Sequence, residues 1–168
     1  VDIACDGKEF TAFCVSAGDG IVCHFFENTY YKNIVREYHS TMPCVALISF
    51  DNAEDFFNDS DEAYSEIVAS VETSLQKWAA EYNALYKRVG TNRYMIIFKD
   101  SDIDKMTAAK FPILKTIRSI NANHLTATVS VGLSRGEKLI KDSEMNARKA
   151  LEMALGRGGD QVAVSIND

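Results

Sequence analysis

The sequence predicts an α+β fold, with a ferredoxin-like βαββαβ core and an added C-terminal helix and strand. An unbroken apolar run from Cys44 to Phe50 is typical of a central, buried strand. From Ile67 to Leu85, apolar residues recur at three- and four-residue steps, which indicates a long amphipathic helix. Further along, Leu125 to Leu133 alternates in the manner of a strand.

The remaining elements of the core lie between and after these three segments. Two strands joined by a short turn are predicted at Tyr86–Val89 and Tyr94–Phe98. Pro112 suits the first residue of the next helix, where its fixed φ angle and missing N–H are tolerated. A last helix from about Ser143 to Gly156 and a closing strand at Gln161–Ile166 complete the series.

A β-hairpin and a connector helix are predicted to precede the core. Phe10–Ser16 and Ile21–Phe26 are strand-like, and they flank the sequence Ala-Gly-Asp-Gly, a strong turn signal. We therefore predict a hairpin region at 1–27, a connector helix at 28–43 and a main domain at 44–168. The connector has apolar residues at helical spacing, namely Tyr31, Ile34, Val35 and Tyr38.

Charge and hydropathy exclude two classes of partner. The 168 residues carry a formal net charge of −6, from 18 Lys and Arg against 24 Asp and Glu, with no basic face. Because polynucleotide binding depends on cations that contact phosphates, we expect no nucleic-acid partner. No apolar run approaches the roughly 20 residues that span a bilayer, so we expect a soluble chain that does not itself contact the membrane.

The sequence contains four cysteines, Cys5, Cys14, Cys23 and Cys44, all within its first 44 residues. The chain is neither short nor visibly secreted, which argues against a disulfide framework. Structural zinc sites need short paired spacings such as Cys-x-x-Cys, which are absent from the sequence. We therefore expect reduced, mostly buried thiols.

Four local sequences resemble the GGDEF domain family of diguanylate cyclases. They are FDNAEDFFND (Phe50–Asp59), RVGTNRY (Arg88–Tyr94), TVSVGLS (Thr128–Ser134) and ALEMALGRGGDQV (Ala150–Val162). In such domains the first of these segments follows the first strand, and the second forms the signature hairpin. The third supplies a T-x-S-x-G strand, and the fourth closes the fold. The resemblance covers Cys44 to Asn167 and implies the palm-like α+β fold of nucleotide cyclases.

The string ALGRGGDQV, with KFPILKTIRSI in the preceding helix, resembles the modified GGDEF domain of the GdpP family of cyclic-di-AMP phosphodiesterases. This resemblance implies a bacterial parent protein at the cytoplasmic face of the plasma membrane, with two membrane helices, a PAS sensor and a catalytic DHH/DHHA1 unit in the same polypeptide. Residues 1–27 would then be the last strands of the PAS sheet. A regulatory, signal-relay role follows, with homodimerisation through the connector helix.

The same resemblance implies that the cyclase chemistry has been lost, so we predict no catalytic residue and no metal ligand. Diguanylate cyclases hold divalent metal ions with carboxylates, which neutralise the triphosphate. The two carboxylate positions of the family fall here on Ser49 and Asn92, both uncharged. The Lys and Arg that meet the triphosphate fall on Leu155 and Gly159, and the signature Glu becomes Arg93.

A weak nucleotide site is the alternative function. The polar residues that we expect near the hairpin and the last turn are Asp51, Asn52, Asn58, Asn92, Arg93 and Arg157. They would bind ATP with Mg²⁺, and the domain would be a slow ATPase. The competing interpretation is a tight turn with solvated side chains. The complete PAS sensor type can also bind haem, but we interpret His24 as an ordinary strand residue.

Overall fold

Two separate groups of elements make up the structure, a computed structural model that describes residues 1–59, 61–122 and 124–167. The first unit is Val1–Ser40 and the second is Thr41–Asp168. Among the described residues, no helix combines the length and the apolar character needed to cross a bilayer.

The first unit contains a three-stranded antiparallel sheet and a helix. Its elements are β1 (Asp2–Cys5), β2 (Lys8–Ala17), β3 (Gly20–Glu27) and α1 (Thr29–Thr41), and the strand order is β1-β2-β3. The predicted hairpin is present as β2 and β3, and the predicted connector is helical. Strand β1 was not predicted from the sequence. None of the described α1 residues is buried within this structure.

The expectation of reduced, buried thiols is wrong for three of the four cysteines. Cys14 and Cys23 are joined in a disulfide, and both are exposed. They lie directly opposite each other on β2 and β3, because they are equidistant from the hairpin turn. Cys5 is free but exposed, whereas Cys44 is free and fully buried. Burial raises the pKa of the Cys44 thiol to about 12.

The second unit is built on a five-stranded sheet with the order β10-β9-β4-β6-β5. Strands β9 and β10 are parallel, and the other neighbours are antiparallel. The order of the four strands β9-β4-β6-β5 is that of a ferredoxin-like fold, and β10 is added at the β9 edge, which confirms the predicted fold class. The elements are β4 (Pro43–Phe50), α2 (Ala53–Asp59), α3 (Asp61–Glu81), β5 (Leu85–Gly90), β6 (Arg93–Lys99), α4 (Asp100–Ala108), α5 (Pro112–Arg118), β7 (Asn121–Ala122), β8 (Leu125–Thr126), β9 (Val129–Arg135), α6 (Ile140–Gly156) and β10 (Val162–Ile166).

Alternation along the central strand β4 divides the core between the two faces of the sheet. Ala46 and Ile48 face the larger cluster, to which α3, α4 and α5 contribute. Val45 and Leu47 face the other way and pack with Leu151 of α6. Helix α6 therefore covers one face of the sheet, and α3, α4 and α5 cover the other.

Gly132 of β9 explains why the last helix lies so close to the sheet. A Cβ atom at this position would lie 2.2 Å from the carbonyl oxygen of Ala147 and 2.2 Å from the backbone nitrogen of Leu151. Only a glycine leaves room for the α6 backbone at this point. The glycine of the Thr-x-Ser-x-Gly pattern in this strand thus has a packing role, because it sets how closely α6 approaches the sheet.

Candidate functional site

The end of β4 and the β5–β6 hairpin turn meet at one edge of the sheet. Ser49 is paired with Arg93 on one side and with Ser130 on the other. The backbone N–H of Phe50 donates a hydrogen bond to the carbonyl oxygen of Asn92, at 3.0 Å. The structure therefore brings together the two positions at which the resemblance places the metal carboxylates of a cyclase.

The two side chains at these positions, Ser49 and Asn92, point to different elements. Ser49 is 5% exposed and follows Val45 and Leu47 in the strand alternation, so it faces the α6 side. Asn92 has a left-handed φ of 56°, and its amide meets the Tyr64 hydroxyl with Oδ1 at 3.2 Å and Nδ2 at 3.1 Å. Its side chain is thus held by α3. Neither position supplies a negative charge to this edge of the sheet.

Asp51 is hydrogen-bonded to two distant parts of the chain. Its Oδ2 atom accepts a hydrogen bond from the Ser130 hydroxyl at 2.8 Å and another from the Asp160 backbone N–H at 2.9 Å. Burial raises the pKa of Asp51, and these hydrogen bonds only partly oppose that effect. The Oδ1 atom is buried and has no hydrogen-bond partner among the described residues. Asp51 therefore fastens the α6–β10 turn to the end of β4.

The α6–β10 turn is held in a shape that suits this contact. Asp160 has a φ of 54°, and its carboxylate accepts a hydrogen bond from Arg118 Nε at 2.7 Å. Gly159 has a φ of 78°, and a Cβ atom there would lie 2.9 Å from Asp51 Oδ2. A side chain at position 159, such as the cation of a cyclase, would collide with Asp51.

Asn52 is also engaged by the protein itself. Its Nδ2 donates to the carbonyl oxygen of Thr126 at 2.8 Å, and its Oδ1 accepts from the backbone N–H of Thr128 at 3.1 Å. Asn52 thus holds the chain between β8 and β9. Both its amide nitrogen and its amide oxygen are thus occupied by backbone groups, which lie 74 and 76 positions away in the sequence.

The other predicted residues are exposed. Asn58 lies on the surface of α2, and Arg157 follows the last residue of α6 as its C-cap. Arg93 is exposed at the start of β6. The structure therefore brings Asp51, Asn52, Asn92 and Arg93 to one edge of the sheet, where three of the four side chains bind other parts of the fold.

A cleft of about 420 Å³ lies between the β5–β6 hairpin and α6. Its charged lining residues are Arg93, Arg148, Glu144 and Glu152, and Arg148 Nη2 lies 2.8 Å from Glu144 Oε1. Arg148 was not identified from the sequence. Its three- and four-residue spacing from other lining residues of α6 places them on the same face of the helix, and this spacing could have identified it. The apolar side chains of the lining are Leu47, Val89, Met95, Leu151 and Leu155. Ile48 and Tyr94 also border the cleft, but their side chains belong to the core cluster on the other face of the sheet.

The described residues offer little for a metal ion. They contain no group of three or more His, Cys, Asp or Glu side chains arranged to hold one. The cleft has two cations and two anions at its rim, so it carries no strong field of either sign. The arrangement can hold a flat or amphipathic molecule near two guanidinium groups, and of its two carboxylates Glu144 is paired with Arg148.

Comparison with known proteins places the chain in a family. The sequence model described as "Cyclic-di-AMP phosphodiesterase GdpP-like, GGDEF domain" matches residues 48–168. The cyclic-di-AMP phosphodiesterase GdpP of Geobacillus thermodenitrificans is 30% identical over 84% of this chain and 22% of its own length. The corresponding Bacillus subtilis protein is 29% identical over 88% of this chain and 23% of its own. The chain thus spans less than a quarter of the length of these relatives.

Solved structures share the fold at low sequence identity. The GGDEF domain of DgcB from Caulobacter crescentus, in complex with c-di-GMP, has a TM-score of 0.64 and 17% identity, over 80% of this chain and 81% of that one. The diguanylate cyclase SiaD from Pseudomonas aeruginosa, in complex with its activator SiaC, has a TM-score of 0.65 and 13% identity, over 81% and 55%. The solved structures agree in fold, and the match over residues 48–168 shows that the chain belongs to the family of GdpP-like GGDEF domains.

Proposed function

We propose that this chain is the regulatory, signal-relay part of a membrane-anchored bacterial cyclic-di-AMP phosphodiesterase and that it does not make cyclic-di-GMP. Three of the relatives that it matches are described as cyclic-di-AMP phosphodiesterases. In the parent protein, catalysis would belong to a DHH/DHHA1 unit, and a PAS-like sensor that includes residues 1–27 would supply the signal. The domain would work at the cytoplasmic face of the membrane.

The observation that carries this proposal is the chemistry at the two cyclase metal positions. Ser49 is a buried hydroxyl, and the amide of Asn92 is engaged by Tyr64. A triphosphate with its divalent ions needs carboxylate oxygens to hold the metal, and these two side chains provide none. The nearby carboxylate, Asp51, has one oxygen taken by two protein donors.

Loss of cyclase chemistry is tested by incubating the chain with GTP and either Mg²⁺ or Mn²⁺, and by separating the products chromatographically. A diguanylate cyclase assayed in parallel serves as the positive control. We expect no cyclic-di-GMP above a heat-inactivated sample. Synthesis of cyclic-di-GMP by the native protein, lost on heating, would overturn the proposal.

The relay role also requires a surface through which two copies can act together, and α1 offers one. Tyr31 is 68% exposed and Ile34 is 45% exposed, and the two are three residues apart on one side of the helix. Exposed apolar residues in such a row favour association with a second helix. We therefore propose a homodimer through α1.

The dimer is tested by sedimentation of the native chain and of a variant with Tyr31→Ser and Ile34→Ser. The matched control is Asn33→Ser, an exposed polar substitution on the same helix. We expect a concentration-dependent dimer for the native chain and the control, and a monomer for the double variant. A native monomer, or a double variant that dimerises as well as the native chain, would contradict the proposed interface.

Weak ATP binding with slow hydrolysis is the second candidate function, and the cleft beside the hairpin favours it. Arg93 and Arg148 lie at its rim, above an apolar floor. Guanidinium groups can form paired hydrogen bonds with phosphate oxygens, and the apolar floor can cover a base. Because Arg148 is already paired with Glu144, we propose that Arg93 provides the principal phosphate contact.

A further inference from the structure

The paired cysteines of the first unit form a feature that the proposed function leaves unused. Cys14 and Cys23 are directly opposite each other in the β2–β3 ladder, with their Cα atoms 4.1 Å apart. Both residues are exposed to solvent. The disulfide links two strands that are already neighbours, so it joins no distant parts of the chain.

The hairpin does not need this bond to keep its shape. Eight register pairs, from Phe10 opposite Glu27 to Ala17 opposite Gly20, hold β2 and β3 together. A disulfide stabilises a protein mainly by restricting its unfolded chain, and the restriction is smaller for shorter loops. Cys14 and Cys23 are separated by only 9 positions, so this bond closes a short loop. Reduction should therefore leave the sheet intact.

The same ladder keeps the two thiols in position after reduction. With their backbone atoms fixed opposite each other, each sulfur has the other at a high effective concentration. The other cysteines differ in this respect. Cys44 is fully buried, and its raised pKa leaves almost no thiolate at neutral pH. Cys5 is exposed and lies in β1 opposite Lys8, away from the pair.

We propose that Cys14 and Cys23 are a reversible redox modification site, which exchanges with small-molecule thiols and disulfides without unfolding of the first unit. In oxidation, the thiolate of one cysteine attacks a disulfide RSSR and releases one RS⁻. The thiolate of the other cysteine then attacks the mixed disulfide and releases the second RS⁻. The pair loses two electrons and two protons, and RSSR becomes two molecules of RSH. Reduction by a thiol is the reverse sequence.

The test uses the full chain with Cys5→Ser, which leaves the pair as the exposed thiols. The protein is equilibrated in glutathione buffers, quenched with acid and weighed by mass spectrometry. We expect a species lighter by about 2 Da under oxidising conditions. Its fraction should rise from about one tenth to nine tenths over a roughly hundredfold change in [GSH]²/[GSSG], because two glutathione molecules are released. The far-ultraviolet circular dichroism should be the same at both extremes.

The control is the further substitution Cys14→Ser, which removes one sulfur and keeps the other. This variant should lose the lighter species and instead gain one glutathione, about 305 Da, on Cys23. Three results would overturn the proposal. They are a native pair that gains glutathione without closing, a disulfide that resists millimolar dithiothreitol in the folded protein, and a loss of β-structure on reduction.

Discussion

Substitution of Asp51 tests whether this carboxylate fastens the α6–β10 turn or serves a ligand. In Asp51→Ala, the Ser130 hydroxyl and the Asp160 N–H both lose their acceptor. Ser130 is fully buried, and each buried donor left without a partner costs about 1–3 kcal/mol. Relief from burying a carboxylate offsets part of this cost. We therefore expect Asp51→Ala to lower the free energy of unfolding by about 2–4 kcal/mol and the melting temperature by roughly 10 °C.

The isosteric variant Asp51→Asn separates the two roles. Its amide oxygen can replace Oδ2 as the acceptor for both donors, so we expect it to lose less than about 1 kcal/mol. Thermal and urea unfolding of the native chain and the two variants supply the comparison. If Asp51→Ala melted with the native chain, or if both variants lost the same stability, the proposed role as a turn fastener would be refuted.

The stability that Asp51 contributes should change with pH, and its raised pKa sets the direction of the change. Burial raises the pKa of Asp51, so the folded protein binds this proton at a higher pH than the unfolded chain does. The contribution of Asp51 is therefore fully present below the ordinary aspartate pKa and decreases as the pH rises through the folded value. The stability of the native chain relative to Asp51→Asn should fall as the pH is raised through that window. A difference that grows with pH would contradict the assignment.

Two further predictions concern the packing of α6 and the cleft. Gly132→Ala should lower the free energy of unfolding by at least about 3 kcal/mol, because its methyl group collides with the α6 backbone. Gly156→Ala, with no atom near the added methyl group, should be neutral or slightly stabilising. Chemical denaturation compares the two variants. ATP binding measured by calorimetry should weaken about 10- to 100-fold in Arg93→Ala, with little change in melting temperature, since this side chain is exposed; unchanged affinity in the variant would exclude this contact.

Much of the fold could be predicted from the sequence because its strongest patterns are local. The apolar run at Cys44–Phe50 and the helical repeat of α3 need no knowledge of distant residues. Helix α4, at Asp100–Ala108, was missed since it has only three buried residues and a largely polar sequence. The disulfide was missed although both of its cysteines lie in the predicted hairpin. They are equidistant from the turn, which places them directly opposite each other.

The site was less accessible to sequence reasoning because its contacts are long-range. Asp51 meets Ser130 across 79 residues and Asp160 across 109, so its partners emerge only after the sheet is assembled. Asn92 was identified as a changed signature residue, but its contact with Tyr64 depends on how α3 packs beneath the hairpin. The residue types were therefore visible in the sequence, and their roles required the fold.

The relay proposal is tested most directly by the rate at which the full-length protein hydrolyses cyclic-di-AMP when α1 is altered. Tyr31→Ser with Ile34→Ser changes the exposed row of α1 and alters no residue within the sequence of the proposed catalytic unit. We predict that the rate or its response to signal changes by about 5-fold or more, the range typical of coupled sites, while the control Asn33→Ser behaves as the native protein. Equal hydrolysis rates for the native protein and the double variant, with and without signal, would contradict a relay through this helix.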